Sequence, residues 1–410
     1  MTRPDPARQS RALVGTIVFA VAVAAFSRVP LLPDIGRALS LTAGELGLLT
    51  TAFGIGRLVM DLPAGRLAGV VDPAAALAGS GLGLAVACAI LAASQTLLEA
   101  LAGSALIGCA SALTNTTGMY AFATATGAER RGASMAIYMT ALMSGQMVGP
   151  ALGGAIGSLA GWREAMAVAA GIGVVVLVCA ATWGRGRPRS SRREDRRPHP
   201  AAAAAVTPGG FASRPELVAL AAAPFATFFG IAGMTQTLIP LIGDGQLGLS
   251  ASAIGLAIGL GAALRFAGAW AAGIASDRWS RKVVLVPSLA TMAVGAAVLA
   301  ISTSGAAWGA SIALGALGSS GISAAAAAVA DRVPADRLGH ELGVFRLLGD
   351  VGLVVGPALI GFAYQASGPG LAASLATGVF ALAALAAGLW VRGAPPPPAP
   401  AEGTGELVLG

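Results

Sequence analysis

Histidine, cysteine and lysine are scarce in this chain of 410 residues, which holds only two histidines and three cysteines. The histidines fall in polar connections, and the cysteines lie far apart in apolar runs without a C-x-x-C pair. Metal centres and catalytic triads need such groups at suitable spacing. The single lysine, Lys282, precedes Val283, so the Gly-Lys-Ser/Thr of a P-loop is absent. We therefore predict no enzyme, no catalytic residue, no metal and no cofactor.

Charge is also scarce, because charged residues make up 11% of the chain and hydrophobic residues 56%. Soluble domains average about 25% charged residues. The apolar runs reach roughly 20 residues and do not alternate, as β-barrel strands would. The 58 glycines suit close helix packing in lipid. These features predict an all-α membrane protein with a lipid bilayer as its surroundings.

The apolar runs predict twelve transmembrane helices in two groups of six. The first group covers 12–36, 43–66, 73–94, 97–124, 131–158 and 162–183, within an N-terminal bundle at 1–183. The second covers 215–241, 250–273, 281–302, 306–330, 338–365 and 370–392, within a C-terminal bundle at 215–392. The polar, arginine-rich stretch 184–214 predicts a basic linker, and 393–410 a disordered tail.

Basic residues segregate strongly to one side of this arrangement. If the N-terminus is cytoplasmic, the linker and most other basic residues are cytoplasmic, and the opposite side holds only Arg37 and Arg163. This bias predicts a multi-pass protein of the inner (plasma) membrane with both termini in the cytoplasm. It also accounts for the net charge of +7, so no nucleic-acid partner is expected.

The two halves repeat each other at an offset of 207 or 208 residues. Leu39–Ala43 matches Leu247–Ala251, and Arg57 matches Arg265. Four residues near the middle of the fifth predicted helix recur in the eleventh: Gly145, Gly149, Pro150 and Gly154 match Gly352, Gly356, Pro357 and Gly361. A six-helix unit used twice in parallel predicts two pseudo-symmetric bundles, as in large secondary transporters.

The fifth predicted helix contains the stretch GQMVGPALGG at 145–154. Gly145, Gly149 and Gly153 recur every four residues, so they leave one helix face without side chains. Pro150 weakens the helix there. The stretch is either an ordinary packing seam or, as we interpret it, a sliding surface between the halves.

The chain resembles the major facilitator superfamily over nearly its whole length. The connection after the eighth predicted helix is similar to the family's loop motif, through Gly273, Asp277, Arg278, Arg281 and Lys282. Its counterpart at Gly65–Asp72 is degenerate, because Gly69 stands where the family has an aspartate. The resemblance implies a twelve-helix fold and a latch between the halves that is weaker here or built from other groups.

The stretch at 145–154 also resembles the family's antiporter motif, which is associated with exporters. The matching residues are Gly145, Gly149, Pro150, Gly153 and Gly154. Two other signatures of proton-coupled drug exporters are missing, because Ser104 stands at the arginine position of the fourth helix and alanines stand at the aspartate position of the first. The resemblance favours export, but the groups that commonly couple drug export to protons in this family are missing from the chain.

Ionisable residues inside the membrane are costly and usually functional. Arg57 and Asp61 are four residues apart, as are Arg346 and Asp350, so each pair shares a helix face. We consider two arrangements: a gating or proton-coupling cluster that joins the second and eleventh helices across the halves, or two separate intrahelical ion pairs.

The expected substrate cavity lies among the first, fourth, seventh and tenth helices, as the resemblance implies. Candidate contacts on three of these helices are Arg28, Asn115, Met119 and Gln236, although Asn115 and Gln236 could equally form interhelical hydrogen bonds. The symmetry-related Arg57 and Arg265 could clamp an anion, or each could pair locally.

We predict a secondary transporter that exports a small organic compound, a drug or a metabolite, by alternating access coupled to the proton gradient. The alternative is an importer or exchanger of a small anion, such as nitrate or a carboxylate, held by Arg57 and Arg265. A membrane sensor that signals through the linker is a third hypothesis. The expected partners are the substrate, a proton or other ion and lipid, and the expected state is a monomer.

Overall fold

A computed structural model describes residues 6–68, 70–124, 131–186, 215–333 and 335–392. Seven helices form the N-terminal half: α1 Pro6–Phe26, α2 Leu32–Leu39, α3 Ala43–Leu67, α4 Pro73–Ala93, α5 Leu97–Thr124, α6 Arg131–Ala160 and α7 Trp162–Gly186. Seven form the C-terminal half: α8 Pro215–Phe229, α9 Ile239–Gly245, α10 Ala251–Arg278, α11 Arg281–Ile301, α12 Gly305–Ser319, α13 Ile322–Ala330 and α14 Ala335–Trp390. The predicted all-α fold is confirmed.

Ten stretches within this part of the chain are long and apolar enough to cross a membrane. One of them, Glu341–Trp390, contains a break, because Ser367 and Gly368 leave the helical conformation. Gly368 has φ +76°, which glycine adopts without the steric penalty of a side chain. The helix Arg131–Ala160 is not among the ten. The number twelve therefore stays a prediction.

Several sequence features fall outside the described residues. They are Gly69, the tail 393–410 and the linker apart from 184–186, which extend α7. The side chain of Asp277 is likewise outside the described part, although its backbone belongs to α10.

The helix starts follow from short polar residues that satisfy free backbone N–H groups. Thr42 and Glu45 form a capping box at the start of α3. Ser250, Ser280 and Ser304 accept backbone N–H groups at the starts of α10, α11 and α12. These residues fix the helix starts within two residues of the predicted positions.

Three helices predicted as continuous are interrupted. A 3₁₀ turn at Val29–Leu31 separates α1 from α2, and a π-helix at Gly230–Leu238 separates α8 from α9. A turn around Ser320 separates α12 from α13. Short π segments within helices are frequently found at functional sites. Arg28 directly precedes the 3₁₀ turn, and Gln236 lies within the π segment.

Each half has its own buried apolar core. One core joins the helices before the linker and the other joins those after it, with one exchanged residue each way. Val29 packs in the C-terminal core, and Leu241 packs in the N-terminal core. The two halves therefore meet closely at the ends of the first and seventh spans.

The halves cross along two helix pairs, α3 with α14 and α6 with α10. A Cβ atom at Gly47 would overlap the carbonyl oxygen of Pro357, and one at Gly255 would overlap that of Pro150. These contacts are equivalent under the sequence repeat. Backbone-to-backbone packing at both crossings requires glycine, because any side chain would separate the helices.

The glycine face of α6 does not lie where we expected. A Cβ atom at Gly145, Gly149 or Gly153 would meet the backbone of α1, in the same half. Only Gly154 lies against the other half, where a Cβ would overlap the carbonyl oxygen of Ala251. The interpretation of the whole face as a sliding surface between the halves is wrong, because the groove turns inward toward α1.

The two membrane sides are distinguished by their contacts. Arg332 donates to the carbonyl oxygen of Arg392 and to Glu216, so the ends of α8, α13 and α14 lie together. We call this the linker side, since α7 ends and α8 begins there. On the opposite side, Arg163 donates to the carbonyl oxygens of Ala92 and Ser94.

Candidate functional site

A small cavity lies between the two halves. Its volume is about 40 Å³, which holds about one water molecule. Its walls are mainly apolar and include Phe26 and Pro150 from the first half and Met234, Ile258, Ile312, Met292 and Phe380 from the second. Its polar side chains are those of Gln146, Thr235, Gln236, Arg265, Ser311 and Ser319. The cavity is therefore closed to any organic compound in this conformation.

Arg28 sits behind this cavity in a buried position. Its side chain is 4% exposed, and Nη2 donates to Oε1 of Gln236 at 3.5 Å. The guanidinium lies over the ring of Phe53, 4.4 Å from the centroid, which is a cation–π contact. Nε of Arg28 and Nε2 of Gln236 have no hydrogen-bond partner among the described residues.

Arg265 lines the cavity from α10, and its Nη2 donates to Oε1 of Gln146 at 3.2 Å. Neither Arg265 nor Arg28 forms an ion pair with any described acid. Each arginine instead contacts a glutamine of the opposite half. Among the described residues, the two guanidinium groups therefore contact amide oxygens and, at Arg28, an aromatic ring, but no carboxylate.

The residues predicted on the fourth helix lie elsewhere. Asn115 and Met119 do not line this cavity. The carbonyl oxygen of Asn115 accepts from the hydroxyl of Tyr138 at 3.1 Å, and Met119 is 36% exposed. Of the predicted cavity residues, the structure brings together Arg28, Gln236 and Arg265.

A charge cluster lies on the linker-side part of the α3–α14 crossing. Nη2 of Arg346 donates to Oδ1 of Asp61 at 3.3 Å, which joins the two halves. Neither predicted intrahelical pair forms, because Asp61 turns to Arg346 rather than to Arg57. Of the two arrangements considered, this geometry fits the cross-half cluster.

Asp350 and Arg57 complete this cluster without direct partners. Asp350 is 7% exposed, and the charges of Asp61, Arg57 and Arg346 act on it. Nε of Arg57 and Oδ2 of Asp61 are buried without hydrogen-bond partners among the described residues. Two arginines and two acids therefore lie on the linker-side part of this crossing.

A second cross-half ion pair lies on the opposite side, and sequence reasoning missed it. Arg37 of α2 donates to both Asp34 and Asp244. Arg37 and Asp244 are 207 residues apart, which is the repeat offset. A comparison of the repeats for opposite charges at equivalent positions could have found this pair.

The loop motif after α10 is partly visible in the structure. Nε of Arg281 donates to Oδ2 of Asp331 at 3.0 Å, and its Nη1 donates to Oγ of Ser276 at 2.9 Å. A Cβ atom at Gly273 would meet nothing within 4 Å. Arg278 is exposed at the helix end. The motif therefore ties the end of α10 to the end of α13 within the C-terminal half.

Two similar helical halves around a central cavity are the architecture of a membrane transport protein. The Major Facilitator Superfamily matches the chain over residues 14–273 and 244–408. The chain belongs to this superfamily. No curated protein matches it in sequence.

Solved structures confirm the fold. A bacterial homologue of the human lysosomal transporter Spinster, inward-facing and occupied, has a TM-score of 0.74 and 15% identity, over 94% of this chain and 97% of that one. The nucleoside transporter NupG has a TM-score of 0.73 and 12% identity, over 93% and 100%. The human organic anion transporter MFSD10 has a TM-score of 0.63 and 15% identity, over 93% and 100%.

Proposed function

We propose that this transporter exports a small organic compound in exchange for protons. The observation that carries the proposal is the central cavity, which both halves line with mainly apolar side chains and a few polar groups. Such a surface suits an organic molecule with a limited number of polar atoms. Met234 and Met292 can adapt to compounds of different shape.

The positions of the cross-half contacts support alternating access. Arg37 with Asp244 holds the opposite side together, whereas Asp61 with Arg346 joins the halves on the linker side. The glycine crossings between them let the helices approach closely. In the proposed cycle the halves rock about the cavity and break one set of contacts at a time.

Proton coupling is assigned to the linker-side cluster. Asp350 is buried near a second acid and two arginines. The four charges sum to zero, so the binding of one proton gives the cluster a net positive charge. Protonation of either acid would weaken the attraction to Arg346 and favour separation on the linker side. The export direction is supported by the antiporter-like motif at 145–154.

The test is accumulation of a mixed panel of organic compounds in cells that express the chain, with and without a protonophore. An exporter lowers accumulation of its substrate, and the protonophore removes the difference. Purified protein in vesicles with an imposed pH gradient then shows whether proton flux is coupled. Lack of transport of any panel compound in both assays would contradict the proposal.

The anion clamp of Arg57 and Arg265 receives no support from the geometry. Arg57 lies on α3 with the charge cluster of the α3–α14 crossing and is not among the residues that line the cavity. Arg265 alone lines the cavity. Arg57 and Arg265 are equivalent in the repeat, but they lie in two different environments.

A further inference from the structure

Arg28 carries a positive charge that this conformation buries without a counterion. Its side chain is 4% exposed, and no described acid forms an ion pair with it. Its hydrogen bond to Gln236 is 3.5 Å long, at the outer limit of a useful hydrogen bond. Nε of Arg28 and Nε2 of Gln236 have no partner among the described residues. The charge therefore makes this conformation less stable, because burial removes its hydration.

The contact between Arg28 and Gln236 joins equivalent positions of the two halves. Gln236 follows Arg28 by 208 residues, and Asp244 follows its partner Arg37 by 207 residues, which are the two offsets of the sequence repeat. Residues that contact their own repeat equivalents lie beside the pseudo-twofold axis that relates the halves. Both contacts therefore lie along this axis, where the first and seventh spans meet.

Along the first span, Arg28 lies between the linker-side end and the cross-half ion pair of the opposite side. Its neighbours in sequence, Phe26 and Val29, line the cavity. Arg37 follows further along the span and pairs with Asp244. Separation of the halves on the opposite side breaks this ion pair first. It then parts Arg28 from the other half and lets water reach the guanidinium.

We propose that Arg28 is a gating residue whose buried charge biases the transporter toward opening on the opposite side. In the present conformation the ring of Phe53, 4.4 Å from the guanidinium, and the long bond to Gln236 replace only part of the lost hydration. In the open conformation water supplies that hydration in full. The inference rests on the alternating access of the proposed function, and it requires no particular substrate or direction of transport.

The experiment measures the distance between the halves on the opposite side, by pulsed electron spin resonance of the full chain in lipid nanodiscs. Spin labels are attached at Leu98→Cys on α5 and Ala306→Cys on α12, after the three natural cysteines are changed to alanine. Both label positions are exposed and are equivalent in the repeat. A short distance reports the present conformation, and a longer distance reports the open opposite side.

Arg28→Gln removes the buried charge and should raise the ratio of short to long distances by about tenfold. Gln236→Glu supplies the missing carboxylate and should shift the ratio the same way, because it pairs with Arg28 when the opposite side is closed. The double variant should show more of the long distance than either single variant, because it buries an acid without a cation.

Arg163→Gln is the matched control on the same side of the membrane. Arg163 donates to the carbonyl oxygens of Ala92 and Ser94 and lies over the ring of Trp162. All these partners belong to its own half, so they move together with Arg163 when the halves rock. The distance ratio should therefore remain that of the natural chain.

An unchanged ratio in Arg28→Gln, or a shift toward the long distance, would overturn the gating role. If Arg28→Gln does not fold, Gln236→Glu decides, and the absence of a shift toward the short distance would overturn the role equally. A single distance in every variant would contradict alternating access and the gating role together. If the ratios respond as expected but vesicles transport no panel compound, the proposed function fails and the gating role stands.

Discussion

The two helix crossings between the halves share a backbone contact and differ in charge. The α3–α14 crossing has Gly47 against Pro357, and the α6–α10 crossing has Gly255 against Pro150. Beyond this contact, the first crossing continues into the cluster around Asp61 and Arg346. The second continues into the contact between Arg265 and Gln146, which contains one positive charge and no acid. The repeat thus supplies the same backbone contact at both crossings, and different side chains beyond it give the crossings different charge.

In the proposed function, the proton binds at one crossing and the substrate at the other. Among the described side chains of the two crossings, only those of α3–α14 include acids near the membrane interior, whereas the α6–α10 crossing lines the central cavity. A transporter that keeps these tasks apart can change the charge of one crossing without altering the other directly. Four sets of variants test the contacts between the halves, and they follow in order of expected effect.

Glycine replacement at the shared contact should have the largest effect. Gly47→Ala and Gly255→Ala place a Cβ against a backbone carbonyl oxygen that cannot rotate away. We expect each to lower the free energy of unfolding by about 1–3 kcal/mol and to impair transport. Chemical unfolding in detergent measures the first effect.

The same helices provide controls. A Cβ atom at Gly65 on α3 or Gly273 on α10 would meet nothing within 4 Å. Gly65→Ala and Gly273→Ala should leave stability unchanged or raise it by up to about 1 kcal/mol through helix propensity. Equal losses at all four positions would show that the close crossings are not special.

Neutralising Asp350 should abolish the coupling of transport to protons and leave substrate binding intact. Asp350→Asn removes a buried acid from the α3–α14 crossing, so proton-driven transport against a gradient should be lost while exchange of substrate down its gradient continues. Glu164→Gln, at an exposed acid on the opposite side, should keep both activities. Coupled transport by Asp350→Asn would remove this residue from the proton path.

Exchanging the charges of Asp61 and Arg346 should partly restore the stability that each single substitution lowers. Arg346 is 49% exposed and Asp61 is 13% exposed, so we expect a modest coupling energy of about 1 kcal/mol. The double variant with Asp61→Arg and Arg346→Asp should recover stability relative to either single variant. Independent effects of the two changes in a double-mutant cycle would argue against a cross-half pair.

The smallest effect is expected at Arg37 on the opposite side. Its side chain is 60% exposed, so water and salt screen its pairs with Asp34 and Asp244. Arg37→Gln should lower the unfolding free energy by roughly 0.5 kcal/mol or less, and the loss should shrink at high salt. A loss that grows with salt would indicate a role other than the ion pair.

Much of the fold could be predicted from the sequence, because hydropathy, small-residue spacing and the repeat act locally. The Gly-Pro elements at 149–150 and 356–357 correctly indicated two equivalent helices. The interruptions at Val29–Leu31 and Gly230–Leu238 could not be predicted, because they depend on how the first and seventh spans pack against each other.

The site was predicted less completely. Arg265 was predicted as a cavity residue because it matches Arg57 in the repeat, and Arg28 and Gln236 because the resemblance places the first and seventh helices around the cavity. The same argument also selected Asn115 and Met119, which lie away from the cavity. Spacing placed Arg57 beside Asp61, yet Asp61 contacts Arg346, because a neighbouring helix competes with a partner four residues away.

The sequence by itself determined an all-α membrane protein with two repeated halves and a superfamily motif, since composition and periodicity control partition into lipid. Only the tertiary structure decided which charges are compensated. Arg57 and Arg265 are equivalent in the repeat, yet one lies beside acids and the other beside a glutamine. The fate of a buried charge depends on what the opposite half brings to it, and no single helix contains that information.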